Sequence, residues 1–144
     1  MKFKTYTPKE KEIKPEWYLI DAKDKILGRV ATQIALILRG KDEAGFAPHL
    51  NPKHFVVVIN ASKVKFTGKK FENKKYFHHS GYPGGLKEKT LEELFKKNPS
   101  EVLRKAVKGM LPKNRLSKVL LSNLKVFPDE SHPFSNIKFK KVEI

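Results

Sequence analysis

WYLIDAKDKILGRVATQIALILRGK, residues 17–41, followed by FVVVIN at 55–60, decides the fold. WYLIDA (17–22) and FVVVIN are nearly continuous apolar runs of strand length. A strand points alternate side chains to opposite faces, so such runs imply burial on both faces, and hence a parallel sheet covered by other elements. Between them Leu27, Val30, Ala31, Ile34, Ala35 and Leu38 recur at helical spacing, with Arg29, Thr32, Gln33 and Arg39 mainly on the other side. Gly40 stands where a helix ends in a left-handed glycine. Strand, helix, strand in that order is a βαβ unit.

Downstream, KVKFT (63–67) alternates and is expected to form a third strand. Gly68 and KKFENKK then suggest a turn or exposed connection, and 75–82 is expected to be extended again. Thr90 and Glu93 have capping-box spacing before LEELFKKN. Asn98, Pro99 and Glu101 start a second helix, which should stop near Gly109 to Pro112. RLSKVLLSNL reads as a further helix and KVF as a short strand. The chain contains no repeat or composition break, so a single domain is expected over 1–144: an extended basic arm at 1–14, a globular core at 15–127 and a tail at 128–144 laid over the body.

The sequence has 144 residues, 39% of them hydrophobic, enough for one packed core. Its 31 Lys and Arg against 15 Asp and Glu give a formal charge of +16. Self-repulsion at that charge opposes compaction, which points to a polyanionic partner. A membrane surface is the weaker candidate, because no apolar run approaches the roughly 20 residues of a spanning helix. The N-terminal stretch is basic without an apolar segment, unlike a signal peptide. The absence of cysteine excludes disulfides, thiolate metal sites and a cysteine nucleophile, and a cytoplasmic location is the default.

Candidate chemistry is sparse. No GxGxxG, GxxxxGK[ST] or HExxH occurs. Asp21, at the C-terminal end of the first strand, could be a catalytic acid, but it has no companion nucleophile or carboxylate; a turn-forming role is preferred. The most distinctive stretch is YFHHSGYPGG, 76–85. On a strand His78 and His79 point to opposite faces and cannot readily clamp one ion. The same alternation would put Tyr76, His78, Ser80 and Tyr82 on one face, a row suited to stacking on bases and hydrogen bonding to RNA. A half-exposed strand packing on a neighbour would show the same pattern. Charge bears on the choice: Lys63 to Lys89 contains eight lysines and two glutamates, and Arg104 to Lys125 contains seven basic residues and no acidic one. Lys108, Lys113, Arg115 and Lys118 surround a Gly–Pro bend that could follow a phosphate backbone, while Met110, Leu111 and Leu116 read as core anchors.

WYLIDAKDKILGRVAT, INASKVKFTGKK, YFHHSGYPGGLK and VKGMLPKNRL, taken together, resemble the bacterial form of large-subunit ribosomal protein L-thirteen, in one order and spacing from about residue 16 to 127. The resemblance implies a three-layer α/β/α fold around a small, mostly parallel four-stranded sheet. It implies a structural constituent of the ribosome that binds large-subunit RNA early in assembly, contacts neighbouring ribosomal proteins and is a monomer within the particle. It implies no catalytic residues and no cofactor. By motif, the RNA-facing positions are Lys69, Lys70, His78, His79, Ser80, Tyr82 and Gly84, then Lys108, Lys113, Asn114, Arg115 and Lys118. Lys74 and Lys75 join them as the lysines beside the histidine stretch. The family often has glycine where this chain has Ser117, and little of its usual ending is present beyond His132-Pro133. An α/β enzyme built on Asp21 and a free-standing regulatory RNA-binding module are the competing expectations.

Overall fold

A computed structural model describes residues 8–9 and 13–142. Most of the arm expected over 1–14 lies outside the described residues. The elements are β1 (Glu16–Asp21), α1 (Leu27–Arg39), β2 (His54–Ile59), a 3-10 turn (Ala61–Lys63), α2 (Lys70–Asn73), β3 (Lys75–His79), β4 (Leu86–Thr90), α3 (Leu91–Lys97), α4 (Pro99–Met110), α5 (Leu116–Ser122), β5 (Leu124–Val126) and β6 (Lys140–Val142).

The two apolar runs are the two central strands. β1 and β2 pair in parallel with Trp17 opposite Phe55 and Asp21 opposite Ile59. The full order is β5-β2-β1-β6, with every pair parallel. The α/β class and four-stranded parallel sheet are therefore as expected. The membership differs in one strand. KVKFT is not part of the sheet: its start is the 3-10 turn, and only an isolated bridge links Lys65 to Ile26. The fourth strand is β6, from the stretch expected to be a tail.

Alternation divides the packing between the two faces. Tyr18, Ile20, Val56 and Val58 join the main core with Val30, Ile34, Leu38, Leu103, Val107 and Leu120 from the helices. On the opposite face Trp17 stacks on Phe55 at 4.6 Å between ring centroids, and Phe134 and Phe139 close over it. The segment that crosses this face is tied down by backbone bonds from Asn60 and Ala61 to the carbonyls of Asp129 and Phe127.

Helix ends follow the sequence signals. Gly40 ends α1 at φ 64°, and a Cβ there would stand 2.9 Å from the Pro52 side chain, so both conformation and space call for glycine. Thr90 and Glu93 form the expected capping box, and Asn98 caps α4 through its side chain with Pro99 following. A second, smaller core of Leu91, Leu94 and Val102, with Phe66, Phe71, Tyr76 and Phe95 packed against it, carries the β3–β4 hairpin on the body.

Candidate nucleic-acid interface

β3 and β4 form a separate antiparallel hairpin, with Tyr76 opposite Lys89, Phe77 opposite Glu88, His78 opposite Lys87 and His79 opposite Leu86. Opposed residues share a face. One face therefore carries Tyr76, His78, Lys87 and Lys89; the other carries Lys75, Phe77, His79, Leu86 and Glu88. The extended stretch stops at His79, three residues before the expected limit. The row of Tyr76, His78, Ser80 and Tyr82 on one face accordingly breaks. Ser80 to Gly85 turn back as a tight loop, closed by Ser80 N–H to the Gly85 carbonyl at 3.1 Å and Gly85 N–H to the Tyr82 carbonyl at 2.9 Å. Gly84 sits in this loop at φ 71°.

The members of the broken row have different surroundings. Tyr76 packs toward the smaller core, and burial raises its phenol pKa above the ordinary value. The Lys105 ammonium lies 5.0 Å from its ring centroid and that of Lys74 5.8 Å. His78, His79 and Ser80 are exposed, with His79 Nδ1 accepting the Gly81 N–H at 2.9 Å. Tyr82 is 76% exposed at the tip, and Phe77 (62%) and Leu86 (55%) stand out from the face that also carries Lys75, His79 and Glu88. Lys75 faces away from His78 and pairs with Glu88 at 3.0 Å.

At the second motif, Lys108 lies in the last turn of α4 and Leu111 is buried, as expected of an anchor. Met110 is not a buried anchor: it is 43% exposed, because α4 ends there and the chain turns away. Lys113, Asn114, Arg115 and Lys118 are all exposed. Asn114 Oδ1 accepts the Ser117 N–H at 3.1 Å, so its side chain also shapes the bend entering α5.

A cleft of about 510 Å³ joins the hairpin base to the helices. It brings together Lys70 and Lys74 of the expected set with Tyr76, Lys65, Lys105, Gly109 and Met110. Lys69 precedes α2 at its outer end. Lys65, Lys87, Lys89 and Lys105 lie within the two basic stretches of the sequence, but no motif singles them out. The signal for the hairpin pair was present in the strand alternation of LKEKT, but five residues of mostly charged composition gave little reason to expect β4.

Asp21 forms the turn it was expected to form: its Oδ1 accepts the Lys23 N–H at 3.0 Å and the Asn60 side-chain amide at 2.9 Å. The one described group of side chains with metal-ligand spacing is Glu16, Glu43 and His54, whose ligand atoms lie within 4.8 Å of one another. These atoms already have partners. His54 Nδ1 is 2.7 Å from the Ile37 carbonyl and Nε2 is 3.0 Å from Glu43. Glu16 accepts from the Tyr18 hydroxyl and the Lys140 ammonium, each at 2.6 Å. The Lys140 bond first, and then that from Tyr18, hold the Glu16 carboxyl below its ordinary pKa; burial, aided by the same carboxylate, raises that of Tyr18. The group reads as a structural tie between β1, β2, β6 and the loop after α1.

Comparison with known protein sequences gives the family. The sequence profile of the family described as Ribosomal protein L13 matches residues 15–133. A protein of Nitratidesulfovibrio vulgaris named large ribosomal subunit protein uL13 is 52% identical over 141 residues, covering 98% of each chain. The protein of the same name from Maridesulfovibrio salexigens is 50% identical over 140 residues, 97% of this chain and 99% of the relative. That from Lawsonia intracellularis is 54% identical over 129 residues, 90% of each. With the profile matched across three of the four sheet strands, the hairpin and the basic bend, the chain belongs to the Ribosomal protein L13 family.

Proposed function

We propose that this protein is a structural constituent of the large ribosomal subunit in the cytoplasm, that it binds large-subunit RNA early in assembly, and that it works by charge neutralisation and shape recognition rather than catalysis. Family membership supports the ribosomal role, since the relatives are named as large-subunit proteins. The observation that carries the RNA-binding part is the hairpin: a protruding loop with Tyr82 and His78 exposed, backed by Lys87 and Lys89 on one face and the Lys69–Lys75 cluster at its base.

In this mechanism the lysines and arginines displace condensed counterions from phosphates, and His78, His79, Ser80, Tyr82 and the backbone at Gly84 fix the register on folded RNA. Lys108, Lys113, Asn114, Arg115 and Lys118 make a second patch for the backbone. RNA held at both loses conformational freedom, which favours its folded form. Neighbouring ribosomal proteins complete the surroundings of a single copy, a one-domain monomer in the particle.

The test has two parts. Tagged protein should sediment with large-subunit particles through a moderate salt wash. Titration against large-subunit RNA should give a logarithmic affinity that falls linearly with the logarithm of salt, with a slope approaching one for each phosphate neutralised. Binding that is indifferent to salt, or absence from the particles, rejects the proposal.

A further inference from the structure

We propose that the cleft at the hairpin base is a nucleotide site: it takes one unstacked base of the bound RNA, with that nucleotide's phosphates on its lysine rim. This rests on the RNA-binding reading above and gives it a specific contact.

The cleft's size is the first ground. About 510 Å³ lies within the roughly 300–1,000 Å³ of sites that enclose small ligands. Its lining is the second. The floor is apolar, built from Leu27, Phe66, Leu91 and the half-exposed Met110, with Tyr76 at one side. The rim carries Lys65, Lys70, Lys74 and Lys105, and among the described residues no acidic side chain lines the cleft. Lys65 and Lys105 are held in surface pairs with Asp24 and Glu101, bonds that exchange readily for a phosphate. Among the described residues Lys70 and Lys74 have no carboxylate partner.

The third ground is two glycines. Gly28 lies in α1 and Gly109 in α4, and both line the cleft. Neither has the positive φ that would require glycine. A Cβ at either would meet nothing within 4 Å. Gly28 is the second residue of α1 and Gly109 the next to last of α4, and neither a positive φ nor a close neighbour calls for glycine there. Two bare patches of helix facing one cleft are what close approach by a flat ligand needs. An apolar floor alone would accept a protein side chain equally well. The acid-free lysine rim selects a flat apolar group with anionic charge a few ångströms away, which is the chemistry of a nucleotide. An unstacked base is already available where RNA is looped or bulged.

Gly28→Leu with Gly109→Leu in the full chain should narrow the cleft, since both Cβ positions are open. Binding to a transcript of the large-subunit RNA should weaken about tenfold, the scale of one stacked base, while the salt slope stays unchanged. Base-specific chemical probing should show one unpaired nucleotide protected by the wild type and reactive in the variant complex. Unchanged affinity and footprint, as would follow if a protein side chain fills the cleft, overturn the proposal and leave the RNA-binding reading standing. A slope that falls together with affinity also overturns it, because the cleft would then hold phosphate alone. Wild-type binding that ignores salt rejects the RNA-binding reading itself. Should the leucine pair lower thermal stability, Met110→Ala decides: a severalfold loss at unchanged slope supports the site, and no loss overturns it.

Discussion

The imidazole of His54 is 1% exposed, and both of its nitrogens are engaged, by Ile37 and Glu43. His54→Ala leaves a cavity against Tyr18 and strips Glu43 of its partner. It should destabilise the protein by about 2–4 kcal/mol, seen as a lower urea midpoint at unchanged slope. Nothing in the sequence singled out this histidine, because its partners come from the end of α1 and the following loop, and a distance in sequence says little about a meeting in space. Asp21 was legible for the opposite reason: its bond to Lys23 is local. Glu16 supplies a prediction in pH. Its carboxyl pKa is lowered in the folded state, chiefly by Lys140, so its ionised form stabilises the fold at pH values above its unfolded pKa. That contribution is lost as pH falls through the folded pKa. Glu16→Gln should therefore melt lower than wild type at neutral pH, and the gap should close on acidification below the ordinary carboxyl range. A gap that stays constant with pH would mean that Glu16 acts by packing alone.

Elements with a clear period or cap were readable, and those without were not. α1 shows its apolar stripe and Gly40; α3 and α4 announce themselves through Thr90, Glu93, Asn98 and Pro99. KVKFT has the alternation of a strand, yet Ala61–Lys63 wind into a 3-10 turn and Lys65 forms an isolated bridge with Ile26 in place of a strand. Alternation describes a half-buried surface, and here Val64 joins the main core and Phe66 the smaller one without either pairing in a sheet. In the hairpin the pairing itself is what sequence could not supply, and with it the separation of Lys87 and Lys89 on one face from Phe77 and Leu86 on the other. Exposure at its tip makes the role of the element separable from stability. His78→Ala with Tyr82→Ala should change unfolding free energy by no more than about 0.5 kcal/mol each, as for other surface positions. The same double variant should weaken binding to large-subunit RNA severalfold or more. Loss of stability with unchanged RNA affinity would make the tip a packing element and leave the lysines as the sole contacts.

Across the molecule, basic charge and the C-terminal segment do different work. The segment 128–144 carries Lys138, Lys140 and Lys141 against Asp129, Glu130 and Glu143, so it adds no net side-chain charge. It supplies the edge strand β6, the Glu16 partner Lys140, and the rings of Phe134 and Phe139 over Trp17. A three-residue strand beyond two prolines has no period in the sequence, whereas KVKFT has one and yet joins no sheet. A chain ending at Phe127 loses that cover. Burial of the two phenylalanine rings is worth at most roughly 3–6 kcal/mol, so the truncated chain should be strongly destabilised. Trp17 is the single tryptophan and stacks on Phe55 in the uncovered face, so its emission should shift to longer wavelength as water reaches it. Because the proposed phosphate contacts lie at the hairpin and the basic bend, the salt slope of RNA binding, measured at a temperature where the truncated chain is still folded, should match that of the full chain. A reduced slope would place part of the RNA surface on the C-terminal segment, and an unshifted Trp17 emission would show that another part of the chain covers this face.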